Sequence, residues 1–177
     1  MNYFTVFKNV LMKPSEFFKK MPRDDDLTHA LFFSFVFLLI TVLIGDFFDS
    51  IYVGEYIMLP GPVFITELFS IFVVYIFFSI GLIISFNVLG YKENYRNTFK
   101  IIAYSTAVFP FQFLPIFPKM GILASIYWMH VCIRGGQYVH NLSYWKSCFI
   151  VLLGLTVIPL MLLSIIIEII YLPIFDI

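Results

Sequence analysis

Residues 64–89 read FITELFSIFVVYIFFSIGLIISFNVL, and Glu67 is the one charged side chain among them. At ~1.5 Å per residue this run exceeds the ~30 Å hydrocarbon thickness of a bilayer, so it reads as a membrane-spanning helix. It also carries a packing signal. Gly81 and Ser85 form a small-xxx-small pair that lets a second helix approach closely.

Working outward, apolar segments recur at about 28–48, 98–115, 120–134 and 147–172. Gly54, Pro60, Gly61 and Pro62 break the chain before 64, and the polar run Gly90–Asn97 breaks it after 89. Segment three holds a second small pair, Ala103 and Ala107, followed by Pro110. A tight turn is expected at 115–119. Segment four is short for the hydrocarbon thickness, so segments three and four read either as two crossings or as a shallow hairpin returning to its own side. A loop is expected at 135–146, and Pro159 predicts a kink in segment five. The whole chain is 61% hydrophobic and 12% charged. A soluble domain is about half apolar and about a quarter charged. The fold expected is therefore all-α: a polytopic membrane bundle of five helices over 28–177, with an amphipathic segment at 1–27.

The basic residues orient this bundle. Lys8, Lys13, Lys19, Lys20 and Arg23 precede segment one; Lys92, Arg96 and Lys100 follow segment two; Arg134 and Lys146 follow segment four. Lys119 alone falls in an intervening gap. Positive charge marks cytoplasmic loops, so the N-terminus is expected in the cytoplasm and the C-terminus outside. No cleavable signal is expected, because segment one follows a polar or amphipathic stretch without a small-residue cleavage site. The net charge of zero gives no nucleic-acid footprint. Cys132 and Cys148 fall near cytoplasmic helix ends, where a disulfide is not expected, and read as apolar fillers.

Ahead of segment one, Tyr3, Phe4, Phe7, Val10, Leu11, Pro14, Phe17, Phe18 and Met21 repeat at helical spacing, flanked by the lysines. Pro14 suits the first turn of a second short helix. These helices either lie on the inner membrane surface or pack under the bundle, and the two readings are compatible. Lys8, Lys13, Lys19, Lys20 and Arg23 are the candidate contacts to anionic lipid. Asp24–Asp26 suit a helix N-cap, with an acidic cation site as the alternative.

No catalytic motif, cofactor loop or metal-type Cys/His spacing is present in the sequence. An enzyme is not expected, nor a cofactor. Polar residues at membrane depth are the remaining candidates for chemistry, because burying them in lipid is costly. Asp46, Asp49 and Glu67 sit near outer helix ends; Asn87, Gln112, His130 and Arg134 sit deeper or at inner ends. Together they read as a polar or cation path, the signature of a small transporter, channel or lipid scramblase. Taken separately, they read as solvated helix ends, interhelical hydrogen bonds and a snorkelled arginine. Glu168, near the outer end of segment five, reads the same way.

The run Gly90-Tyr91, Thr98-Phe99-Lys100, Ala103-Tyr104-Ser105 and Pro110, continuing through Pro118, Gly121, Tyr127, Gly136, His140 and Lys146, resembles the YIP (Ypt-interacting protein) domain family in its prokaryotic branch. Pro14-Ser15-Glu16-Phe17-Phe18 is similar to the motif that opens many prokaryotic members. The resemblance implies a five-helix membrane domain with a cytoplasmic N-terminus, in a prokaryotic cell membrane. It implies a non-enzymatic, membrane-organising or interaction protein whose partners are membrane lipids, further copies of itself or other membrane proteins. Eukaryotic members associate with Rab-type GTPases. Their Asp-Leu-Tyr-Gly-Pro motif is absent here, and Gly61-Pro62 matches only its end on the expected outer side. No GTPase-contact residue is therefore carried over.

Overall fold

The computed structural model describes residues 2–23, 27–53, 61–89, 95–114, 120–157, 159–161 and 163–164. Among them are helices α1 (Tyr3–Met12), α2 (Pro14–Lys20), α3 (Thr28–Val53), α4 (Gly61–Val88) and α5 (Tyr95–Ser105). A 3₁₀ segment, Thr106–Phe113, continues α5. Then come α6 (Met120–Val139), α7 (Tyr144–Leu152) and a π-helical turn, Leu153–Val157. No strand occurs among the described residues, so the all-α expectation holds.

Among the described residues, three stretches are long and apolar enough to cross a membrane: Thr28–Phe48, Phe64–Val88 and Tyr144–Met161. They match the expected segments one, two and five. Their lipid-facing sides are visible as exposed apolar residues, such as Leu31, Phe35 and Leu43 on α3 and Phe69, Val74 and Ile80 on α4. Segments three and four differ from a plain pair of spanning helices. The α-helical turn ends at Ser105, where the Ser105 and Thr106 hydroxyls donate to the Ile102 and Ala103 carbonyls at 2.8 and 2.7 Å. Pro110 then denies the next turn an amide donor. The chain proceeds as a tighter 3₁₀ helix, long for its type. This segment packs between α3 and α6, with Ala107 and Val108 buried in the core.

The sequence reading placed Gly135 and Gly136 in a loop. They are instead inside α6, which runs on to Val139. Both are packing positions. A Cβ on Gly135 would collide with Ile101 of α5, and one on Gly136 with Ser147 of α7. The true turn is His140–Ser143, with Asn141 at φ 51°, a left-handed conformation that asparagine tolerates. Pro14 does open α2, as its fixed φ allows. Asp24–Asp26, the turn at 115–119, Glu55, Glu168 and the tail at 173–177 lie outside the described residues, as do most of the outer loop at 50–63 and the side chain of Asp49.

A close approach joins α4 to the π turn. A Cβ on Gly81 would strike the Gly154 carbonyl oxygen, and one on Gly154 would lie 2.8 Å from the Leu82 Cα. The helices therefore meet backbone to backbone. Ser85 Oγ closes the contact by donating to the Ile150 carbonyl at 3.0 Å. The regular turns of α7 give way here, ahead of Pro159, which cannot donate to the Leu155 carbonyl. The sequence predicts a kink at Pro159; ahead of it the structure shows a π-helical turn, Leu153–Val157.

Gly81→Ala has no space without moving backbone, so it should lower unfolding stability by about 1–3 kcal/mol. The lipid-facing Ile80→Val should stay within about 0.5 kcal/mol. Thermal unfolding of the two variants in one detergent checks the difference.

Candidate functional site

The N-terminal helices form a hairpin docked on the bundle. Its apolar stripe supplies the dock: Val6, Val10, Phe17, Phe18 and Met21 are all buried. The ring of Tyr3 lies among His29, Phe32 and Phe33 near the start of α3. One turn on, Phe7 stacks on Phe37 at 5.0 Å and approaches Phe111 at 6.4 Å. At the far end the Tyr127 hydroxyl of α6 donates to the Leu11 carbonyl. The chain then turns, and α2 comes back along α6, with Phe17 edge-on to Tyr104 at 5.0 Å. Packing on the bundle is observed, a placement compatible with lying at the membrane surface.

Lys100 closes the hairpin's base. Sequence reading used it as a cytoplasmic charge and as part of the family run, yet it is 2% exposed. Its Nζ donates to the Pro22 carbonyl at 3.1 Å and the Arg23 carbonyl at 3.4 Å. Arg23 in turn donates to the Tyr138 carbonyl at 3.3 Å. Thr98 Oγ1 lies 3.1 Å from His140 Nε2, and the His140 ring rests on Phe86 at 4.1 Å. These ties gather residues 22–23, 98–100 and 138–140, members or neighbours of all three basic clusters, at one end of the bundle. No local pattern in the sequence marks the burial of Lys100.

Between α1 and α2 runs a groove of about 440 Å³ lined by Lys8, Asn9, Lys13, Glu16, Phe17 and Lys20. Lys13 and Glu16 pair at 3.5 Å, with both side chains well exposed. Lys8, Lys13 and Lys20 thus come together from the five expected basic contacts. Lys19 is exposed but does not line the groove, and Arg23 is held at Tyr138.

The polar residues expected at membrane depth do not gather in the same way. Asp46 is half-buried on α3, and Glu67 is exposed near the start of α4. Asn87 is exposed at the opposite end of α4. Gln112 donates from Nε2 to Ser125 Oγ at 3.3 Å, joining the 3₁₀ segment to α6. His130 stacks on Tyr127 at 6.0 Å. One turn later Arg134 donates to Gln137 Oε1 at 3.0 Å and lies 5.1 Å from the centre of the Tyr144 ring. His130 and Arg134 share a face of α6, as their spacing requires; Glu67 and Asn87 lie toward opposite ends of α4, and Asp46 and Gln112 on two further elements.

A buried polar centre escaped the sequence reading. Ser105 Oγ accepts from the Trp128 indole at 2.8 Å and from the Cys132 thiol at 3.4 Å. It joins the end of α5 to the middle of α6. Cys132 is thus a buried packing residue, as expected. No sequence motif flags such a hub, because its members come from distant positions.

Replacing Lys100 by Met removes the charged donor from two carbonyls. Lys100→Met should cost about 1.5–3 kcal/mol, the range for hydrogen bonds to charged groups. It should also speed tryptic cleavage after Lys19, Lys20 and Arg23. Unfolding temperature and limited proteolysis of the purified chain read the two effects.

The comparisons with known proteins bear on this geometry. The Yip1 domain family model matches residues 8–167, from the middle of α1 to beyond the π turn. No curated protein matches, and no solved structure does.

Proposed function

The chain belongs to the Yip1 domain family, and from that membership we propose that it is a non-enzymatic interaction protein of the membrane. It acts through helix–helix contacts and through its basic end. Family and apolar helices together make it an integral membrane protein. The finer reading is five crossings with the N-terminus in the cytoplasm. Its support is the gathering of residues 22–23, 98–100 and 138–140 at one end, because cytoplasmic loops share a side and collect basic residues.

One observation carries the interaction reading over the transport reading. Several buried polar side chains are spent on ties between helices: Ser85 to Ile150, Ser147 to Ile133, Trp128 and Cys132 to Ser105. Asp46, Glu67, Asn87, Gln112, His130 and Arg134 line none of the clefts described, and they are spread over α3, α4, the 3₁₀ segment and α6. A conducting path needs such groups to converge on water. The partners that fit are other membrane proteins or further copies, engaged through the exposed apolar faces of α3, α4 and α7, and lipids at the basic end. GTPase contact has no matching motif here.

The test is mild solubilisation followed by mass measurement and identification of co-purifying proteins. The interaction reading expects a defined assembly. A strict monomer that retains no protein or lipid overturns it. Liposome flux of ions, protons or lipid, abolished by Asp46→Asn or His130→Ala, would put the transport reading in its place.

A further inference from the structure

The groove between α1 and α2 lies beside the membrane span, and that position decides what it can hold. Phe7 stacks on Phe37, about 14 Å into the Thr28–Phe48 span at 1.5 Å per residue. The hairpin rises along the first half of that span from its base at Pro22 and Arg23. It thus lies level with one leaflet, reaching about halfway along the 21-residue span. Its outward apolar side chains agree: Phe4 is 71% exposed and Met12 73%. Exposed Leu31, Phe32 and Phe35 continue the same apolar surface on α3.

At that depth a lysine needs an anion or the interface. Its four-carbon stem lies along apolar surface and its ammonium reaches for headgroup level. Three such stems enter one groove, with Asn9 between them. Glu16 answers only Lys13, so Lys8 and Lys20 leave the groove with a surplus of two positive charges. Both line it, and neither has an ion pair among the described residues. The volume of about 440 Å³ falls within the usual range of ligand clefts. An oxyanion with several acceptor oxygens suits ammonium groups, which bind phosphate as point charges.

We propose that this groove binds the headgroup of an anionic phospholipid, with Lys8, Lys13 and Lys20 on the phosphate and Phe4 and Met12 against the acyl chains. The source is the bilayer and not free phosphate, because a soluble anion makes no use of the apolar rim. The proposal deepens the interaction reading and rests on its membrane placement, but not on any protein partner. The hairpin then serves as a lipid-selecting edge, fastened to the bundle by Lys100 and Tyr127.

The test uses the detergent-purified full chain with mixed micelles of phosphatidylglycerol or phosphatidylcholine, and counts retained lipid by native mass spectrometry. Phosphatidylglycerol should be retained about ten-fold over phosphatidylcholine. Lys8→Gln should lower that preference roughly five-fold, the factor expected per lysine near an anionic surface. Lys8→Gln/Lys13→Gln/Lys20→Gln should abolish it. Lys19→Gln, outside the groove, should leave it unchanged, and Lys8→Arg should preserve most of it. Unfolding temperatures show which variants remain folded; if the triple variant does not, the Lys8→Gln and Lys8→Arg pair decides. Equal retention of both lipids overturns the proposal, and so does a loss at Lys19 as large as that at Lys8. Full displacement by millimolar inorganic phosphate reassigns the groove to a soluble anion and overturns the lipid source. A chain that keeps protein partners but shows no lipid preference sinks the groove alone. A chain that selects lipid but keeps no protein partner sinks the partner reading alone.

Discussion

Lipid offers no hydrogen bond, and most of this structure follows from that. Backbone groups inside the hydrocarbon must be satisfied by their own helix, so the described residues hold helix and no strand. Hydroxyls meet the same demand. Ser34, Thr41, Ser70 and Ser79 each donate back to a carbonyl three or four residues earlier. Such bonds let a polar side chain sit on a spanning helix without a partner helix. Two hydroxyls that do reach across, Ser85 and Ser147, sit where glycines have brought two helices together. At these two ties the small residues let the helices approach closely enough for the bond, since without hydrophobic drive between helices close packing holds them.

The same constraint accounts for what the sequence revealed and what it hid. Spanning helices are continuous apolar runs, so α3 and α4 were legible almost to their ends, and the ordered motifs pointed to the family that the comparison establishes. Gly135 and Gly136 misled because glycine signals both a break and a close contact. Only the neighbouring Ile101 and Ser147 decide between them, and they are far away in sequence. The 3₁₀ segment was hidden for a related reason: Pro110 announces a disturbance but not its form. Lys100 was read by its charge and its place in the family run, not as a buried residue. Its burial depends on carbonyls 77 and 78 residues away, which no local pattern reports. Of the candidate site residues, Lys8, Lys13 and Lys20 come together through the α1–α2 turn at Pro14, a turn the sequence did announce. The polar residues on the long helices share only the fact of being polar in an apolar setting.

Lys100 and the basic clusters carry one further consequence. A lysine buried against two carbonyls is expensive unless its charge does more than attract. Here it fixes the chain between α2 and α3, and so sets where the hairpin meets the bundle. Tyr127 fixes the hairpin's other end through the Leu11 carbonyl. With both ends held, α1 and α2 cannot slide or separate freely, and the lysines between them keep a common groove instead of sampling solvent singly. Charge that merely marked the cytoplasmic side would need no such holding, since orientation depends on the number of basic residues and not on their geometry. The two anchors therefore favour a role for Lys8, Lys13 and Lys20 that depends on their relative positions, which is what binding a single anion requires and what charge bias along the chain does not.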